Sequence, residues 1–572
     1  MFMAGALLLP GFQANPGQTK PTHAADPPSG GPSDKPADKP AEKPPEQTAS
    51  IDGTVVDAKL GKPVKDVSLL AALATGGGTP ASTKTDETGH FQLKNLTAGS
   101  YLLVADHPRY ARQTYGSRNG LLGGTPLTLT IGQELKDLTF KVQPNAVASG
   151  RVLDEDGEPM ASVMVAALKG MYAKGKRQYL PLGTAMTNDL GEYRIANMAA
   201  GRYLISATRM NQNAATTKTP EGEPEKTYVT TYYPNAMEAA GAAPVDVTAG
   251  GDVGGMDIRM AKVKSVRLKG KVVGVPGDQQ ATVRLIPKDA GVIAMITGRS
   301  SPVKKTDGTF EIVGVTPGSY TLRVSDQTGM KPMGAGIQVQ VGDRAVESMV
   351  IEVTSNAEVA GSVVVPGSDA KNNPNNDPKT NPNNDQVSWK GARVFLESVE
   401  GLVIIPPNTT VAEDGTFTLK DVAPDKYFVR VMNGPPGAFL ESAKFGTQAM
   451  GEQGLDLSGT APGKMEIQLN PGGAQVDGII RGQDDKPISG VTVALIPDSR
   501  KYLLYQTQFT DQNGTFHFKG IAPGDYKVLA WEEVEPNAFQ DPEFVKPFLG
   551  KAEPVSLKEN DHRGVSMKAI PR

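Results

Sequence analysis

Catalysis needs nucleophiles, acid–base groups or metal ligands gathered at one spot, and this chain offers few. Cysteine is absent, and histidine occurs five times in 572 residues: His23, His90, His107, His517 and His562. Without cysteine there is no disulfide, no thiolate nucleophile and no Cys-based zinc or iron–sulfur centre. No histidine stands in an H-E-x-x-H or comparable zinc-ligand spacing. His90 and His517 adjoin the aromatics Phe91 and Phe516, so strand alternation points both histidines to solvent if the aromatics face a core. Gly298-Arg299-Ser300-Ser301-Pro302 falls short of a G-x-S-x-G elbow, and no P-loop or dinucleotide fingerprint occurs. The paired acids Asp484-Asp485 and Glu532-Glu533 read as solvated turn residues, because neighbours on a strand face opposite ways. The chain is therefore read as non-enzymatic, with no catalytic residue, metal or cofactor.

Binding chemistry has more candidates. Tyr228, Tyr232 and Tyr233 lie in one aromatic-rich extension, Tyr502 and Tyr505 in another, and Trp531 sits beside Glu532. Exposed rings of this kind stack on sugars or anchor protein interfaces. Burial as extra strand or between domains is the competing reading, and the stronger one. An oxygen-rich run from Asn372 to Asp385 lacks the carboxylate alternation and anchoring Glu of a calcium loop, and reads as a disordered insertion.

The elements that would position these residues are repeated. A polar turn, Gly-x-Phe/Tyr, a strand, a small turn and x-Tyr recur five times. The landmarks are Gly89, Phe91 and Tyr101; Gly191, Tyr193 and Tyr203; Gly308, Phe310 and Tyr320; Gly415, Phe417 and Tyr427; Gly514, Phe516 and Tyr526. Turn Gly and later Tyr are 12 residues apart in every copy. Asp, Asn and Gly before a strand supply a tight turn. Alternation such as Phe91, Leu93 marks a strand with one buried face. The Tyr is read as a corner residue, its ring buried and its hydroxyl returned to backbone.

Each phrase follows a glycine-bearing strand and, in copies one, two and five, a turn ending in Pro: Gly53-Thr54-Val55 with Gly61-Lys62-Pro63, Gly150-Arg151-Val152 with Gly157-Glu158-Pro159, and Gly478-Ile479-Ile480 with Lys486-Pro487. Gly270 and Gly361 open copies three and four, where the Pro turn is lost or displaced. This G-x-V…G-x-P…T-D-x-x-G-x-F…G-x-Y pattern, from about Ser50 to Arg572, resembles the carboxypeptidase regulatory-like domain, a transthyretin-like sandwich grouped with starch-binding-like folds. The resemblance implies an accessory module beside a peptidase, before an outer-membrane transporter barrel, or in tandem on a bacterial surface; it implies no hydrolysis. Cna-B-type surface sandwiches are similar in outline and can close internal Lys–Asn bonds, but the sequence pairs no Lys, Asn and acid on matching strands, so no such bond is expected.

The expected fold is all-β: five tandem antiparallel seven-stranded Greek-key-type β-sandwich domains after a disordered N-terminal tether. The boundaries are 1–14 for a signal-peptide remnant, 15–49 for a Pro/Lys-rich tether, then sandwiches at 50–144, 145–264, 265–355, 356–471 (with an Asn/Pro-rich insertion, 368–387) and 472–572. Gly 64 and Pro 45 against 6% aromatics suit short strands joined by turns. Lys+Arg 59 against Asp+Glu 62 gives no basic excess for nucleic acid. No segment is apolar enough for a transmembrane helix. The chain is expected in the periplasm or at the cell surface, as a binding or scaffold protein whose partner is a protein or glycan of the envelope. Alternatives are carbohydrate binding through exposed aromatics, and service as an accessory subunit of a peptidase, glycan-active enzyme or transporter. Five units in a row are expected to extend on the order of 150–200 Å.

Overall fold

The computed structural model describes residues 48–571, except 75–77, 118–122, 210–224, 278, 289–297, 330, 367–387, 401–404 and 460–462. The expected signal remnant, nearly all of the tether, His23 and the 368–387 insertion lie outside the described residues. Five hydrophobic cores follow one another, drawn from Ala49–Val142, Ala146–Met260, Leu268–Val353, Val359–Leu469 and Ala474–Ala569. Each lies between two sheets, and the units are numbered one to five below.

Unit one shows the plan. Its opening strand, Ala49–Asp57, alternates buried and half-buried residues along its whole length. It is flanked by His90–Leu96 and by the closing strand Glu134–Val142. The facing sheet runs Ala81–Lys84, Ser68–Leu73, Gly99–His107, Tyr110–Thr114, with Leu127–Leu129 also on Gly99–His107. Neighbours are antiparallel with one exception, which recurs in all five units: opening and closing strands pair in parallel. Among the described residues, units three and five have the expected seven strands, split three and four; units one, two and four carry additional short strands.

The repeated phrase owes its residue types to this geometry. Gly415 adopts φ +81°, and a Cβ there would lie 2.7 Å from the Val363 carbonyl oxygen. That turn is pinned because the Val363 amide donates to the Gly415 carbonyl at 2.8 Å. The same amide-to-glycine bond holds Val55, Val152, Val272 and Ile480. The opening-strand glycine has a different cause. Gly478 pairs with Phe516, and an added Cβ would meet the Phe516 ring at 2.5 Å and the Val565 carbonyl of the closing strand at 2.4 Å. Glycine there lets the aromatic of the phrase lie flat over the strand.

Tyrosine ends the phrase as expected. The hydroxyls of Tyr101, Tyr203, Tyr320, Tyr427 and Tyr526 donate to the carbonyls of Thr97, Ala199, Thr316, Ala423 and Ala522, at 2.8–2.9 Å. Six residues before each Tyr, Asn95, Asn197, Gly314, Asp421 and Gly520 take left-handed φ between 56° and 69°. There the pairing with the opening strand slips, a bulge repeated in every unit.

Candidate functional site

Two of the aromatic candidates, Tyr228 and Tyr502, stand at joints between units, while Tyr232, Tyr233, Tyr505 and Trp531 pack within their own units. Tyr228 is buried on Lys226–Tyr228, which pairs with Lys262–Lys264 where units two and three meet. Its hydroxyl bonds Glu155 at 3.1 Å, and the Lys262 ammonium lies 4.7 Å from the ring centroid. Beside it the Arg299 guanidinium of unit three donates to Thr227 at 2.8 Å and the Tyr228 carbonyl at 3.3 Å. Burial pulls that guanidinium down to about 10. Tyr232 lies against Ala166, Leu168, Leu204 and Tyr179 on the outer face of unit two, and Tyr233 packs on that unit's core. Burial raises the Tyr232 phenol above its ordinary range.

Trp531 is 2% exposed in a satellite core of unit five with Leu529, Phe539, Val545 and Ile570. Its ring meets Phe548 edge-on at 5.7 Å. The turns around Pro542–Val545 supply that cover, with the Asp541 side chain capping the Glu543 amide at 3.0 Å. Tyr505 packs on the same cluster. Tyr502 enters a junction shared with other units. Its hydroxyl bonds Glu397 of unit four at 2.8 Å, and its ring lies 5.5 Å from Phe428. The Arg430 guanidinium is 5.3 Å from the Tyr502 ring and bonds Glu397 at 2.7 Å. A shallow, open dip in the surface lies alongside, lined by Arg430, Tyr502, Tyr505, Gln506, Asn537 and Gln540.

Into this junction reaches Lys174 of unit two, a residue the sequence reading did not single out. It is at the tip of the hairpin Val163–Ala173/Lys176–Met186, where Lys174 and Gly175 both have left-handed φ, 53° and 75°. Two such residues form the tight hairpin turn that follows strand twist. The Lys174 ammonium donates to the carbonyls of Ser398 and Val399, the latter at 2.8 Å, and stands 3.6 Å from Glu397. Desolvation lowers its proton affinity against the pull of Glu397. The Lys174-Gly175 dipeptide announces the turn; nothing local announces the partner.

Unit five also touches unit one. Gln512 exchanges two hydrogen bonds with the backbone of Thr128, 2.9 Å from the Thr128 amide and 2.8 Å to its carbonyl. The Phe509 ring lies against Gly123. Units three and four join through Arg323 and Asp425, 3.2 Å apart and nearly buried, with Ser398 on the same carboxylate at 2.9 Å. Asp425 takes the place that Gly holds in the other four phrases. The expected extended string is corrected here: the fifth unit folds back on units one, two and four, because its side chains find partners there.

His90, His517 and His562 lie exposed on outer faces. His90 bonds Asp52 at 3.0 Å, while His517 and His562 bond Asp477 at 2.8 and 2.5 Å. Among the described residues no group of three His, Cys, Asp or Glu side chains is arranged to hold a metal ion. Among the described residues the buried lysine is Lys169 of unit two, 5.4 Å from the Tyr203 ring centroid. No helix among them is long and apolar enough to cross a membrane.

Residues 50–143 match the model of the carboxypeptidase regulatory-like domain, and residues 473–541 that of the SdrD B-like domain. A 274-residue stretch, 45% of this chain, is 23% identical to Colossin-A of Dictyostelium discoideum, and the chain spans about 2% of that protein's length. Among solved structures, a minor pilin of Streptococcus agalactiae is 13% identical, with 40% of this chain and 100% of that one covered, at a TM-score of 0.23. The TIE protein of Bacillus anthracis is 12% identical over 54% of this chain and 51% of its own, at a TM-score of 0.15. The major pilin subunit of Bacillus cereus is 12% identical over 54% and 99%, at a TM-score of 0.13.

Proposed function

We propose that this chain, which carries a carboxypeptidase regulatory-like domain at residues 50–143, is a non-catalytic multi-module scaffold of the cell envelope that presents its outer sandwich faces to a partner there. One observation supports this above the rest: two candidate aromatics, Tyr228 and Tyr502, and the cations beside them are spent on joints, and the other candidates pack within their own units. Tyr228 and Arg299 close the joint of units two and three. Tyr502, Glu397, Arg430 and Lys174 close that of two, four and five. A chain that commits its aromatics and buried cations to holding units together has rigidity as its product. The case for export is the apolar start, Ala6-Leu7-Leu8-Leu9, followed by the charged proline tract.

The test has two arms. Purified full-length chain, assayed with peptide and polysaccharide panels with and without divalent metals, gives no turnover; turnover that copurifies with the chain overturns the non-catalytic reading. Protease shaving of intact cells releases fragments of the chain; complete protection, with the protein recovered among cytoplasmic markers, overturns the envelope placement.

A further inference from the structure

The hairpin of unit two is longer than any shared-core role requires. Its strands Val163–Ala173 and Lys176–Met186 are 11 residues each, against six for the corresponding Ser68–Leu73 of unit one and six for Thr492–Pro497 of unit five. The extra length reaches the other units. Along its shank, the Tyr172 amide donates to the Pro536 carbonyl of unit five at 2.8 Å, and the Asn537 side chain returns a bond to the Tyr172 carbonyl at 3.2 Å. Arg177 grips Glu535 with two nitrogens, at 3.0 and 2.5 Å. A planar fork meeting a carboxylate fixes orientation as well as distance. At the tip, Lys174 inserts between unit four and unit five, its ammonium 5.6 Å from the Phe428 ring and 5.7 Å from that of Tyr502.

We propose that this hairpin is a latch, with Lys174 as its pin, that holds units two, four and five in one closed body. Units four and five adjoin in the chain, so their contact needs no help. Unit two is separated from them by unit three, and contacts along and at the tip of its hairpin bring it back. Lys174 meets the need because a lysine has three donors and a stem that packs between rings. Two donors are spent on the carbonyls of Ser398 and Val399 and the charge on Glu397, so the pin is matched on every side. Glu397 is itself shared by Arg430 of unit four and Tyr502 of unit five. Withdrawing the pin therefore loosens two units together. The latch rests on the scaffold reading only in that the shape of the array is its working property; closure is measurable whether or not the envelope assignment stands.

The absence of native cysteine makes spin labelling clean. Labels are placed at Arg202→Cys in unit two and Glu452→Cys in unit four, both exposed positions, in the full chain. With the latch intact, the distance distribution is one narrow peak. With Lys174→Ala and Arg177→Ala combined it broadens and shifts to longer distances, and hydrogen exchange at residues 170–178 rises at least about tenfold, as expected when a local opening becomes the exchange route. Lys174→Met, which keeps the stem but not the donors, guards against a fold defect and gives a smaller broadening. A narrow peak unchanged in all three chains overturns the latch.

Discussion

At the scale of single residues, three types carry the repeat, for different physical reasons, and their substitutions should separate. Tyr427 is fully buried with its hydroxyl on Ala423; Tyr427→Phe loses one hydrogen bond and leaves a carbonyl unmatched, for about 1–2 kcal/mol in unit four. Gly415→Ala places a Cβ 2.7 Å from a backbone oxygen at φ +81° and costs more, about 2–3 kcal/mol or above. Hydrogen exchange resolved by unit reads both, with unit four loosened and units one and two unchanged. Asp57 supplies a pH prediction. Burial pushes its carboxyl up, but the amides of Leu60 and Lys59 at 2.8 and 2.7 Å and the Tyr110 hydroxyl at 2.9 Å leave it below its ordinary value. A depressed folded-state acid stabilises above its unfolded value, near 3.8, and that contribution is lost as pH falls through the folded value. Unit one therefore loses this contribution below about pH 4, and Asp57→Asn, measured by exchange across pH 2–6, is less stable at pH 6 with a flatter acid limb.

At the scale of elements, the repeated bulge explains why the phrase tolerates so few residues before its second turn. Asn95 is exposed at φ 58°, a conformation that Asn and Gly accept and β-branched residues resist. Asn95→Gly should leave unit one within a few tenths of a kcal/mol, while Asn95→Val costs about 1–2 kcal/mol; thermal unfolding followed by exchange distinguishes them. The strands, the tight turns and the tyrosine corner were legible in the sequence because each rests on local chemistry: alternation, positive φ, and a hydroxyl four residues from its acceptor. The bulge was equally local and went unread, since Asn95, Asn197, Gly314, Asp421 and Gly520 share a backbone preference rather than a residue type. The parallel pairing of opening and closing strands was not legible, because it joins Gly53 to Leu138 across the whole unit. The candidate aromatics were found by type, and the places of Tyr228 and Tyr502 at joints depend on distant partners such as Glu397 for Tyr502, 105 residues away.

At the scale of the whole molecule, the sequence suggested a string and the structure is a closed body. The difference lies in contacts that no periodicity encodes: Gln512 on Thr128 across 384 residues, Arg177 on Glu535 across 358, and Lys174 on Val399 across 225. The nearly buried Arg323–Asp425 pair between units three and four is costly to break one partner at a time, about 3–5 kcal/mol when a buried charge is left alone. Closure should therefore be maintained at moderate ionic strength, where exposed pairs such as Lys65–Glu87 are screened. The closed body also gives the scaffold reading its content, since a shape fixed by five interlocked sandwiches can hold a partner surface without reordering. Small-angle X-ray scattering from the full chain in dilute solution tests this most directly. The closed body has a radius of gyration of about 25–30 Å, from compact-chain scaling. A value of roughly 45 Å or more, with the scattering of a rod, would contradict it.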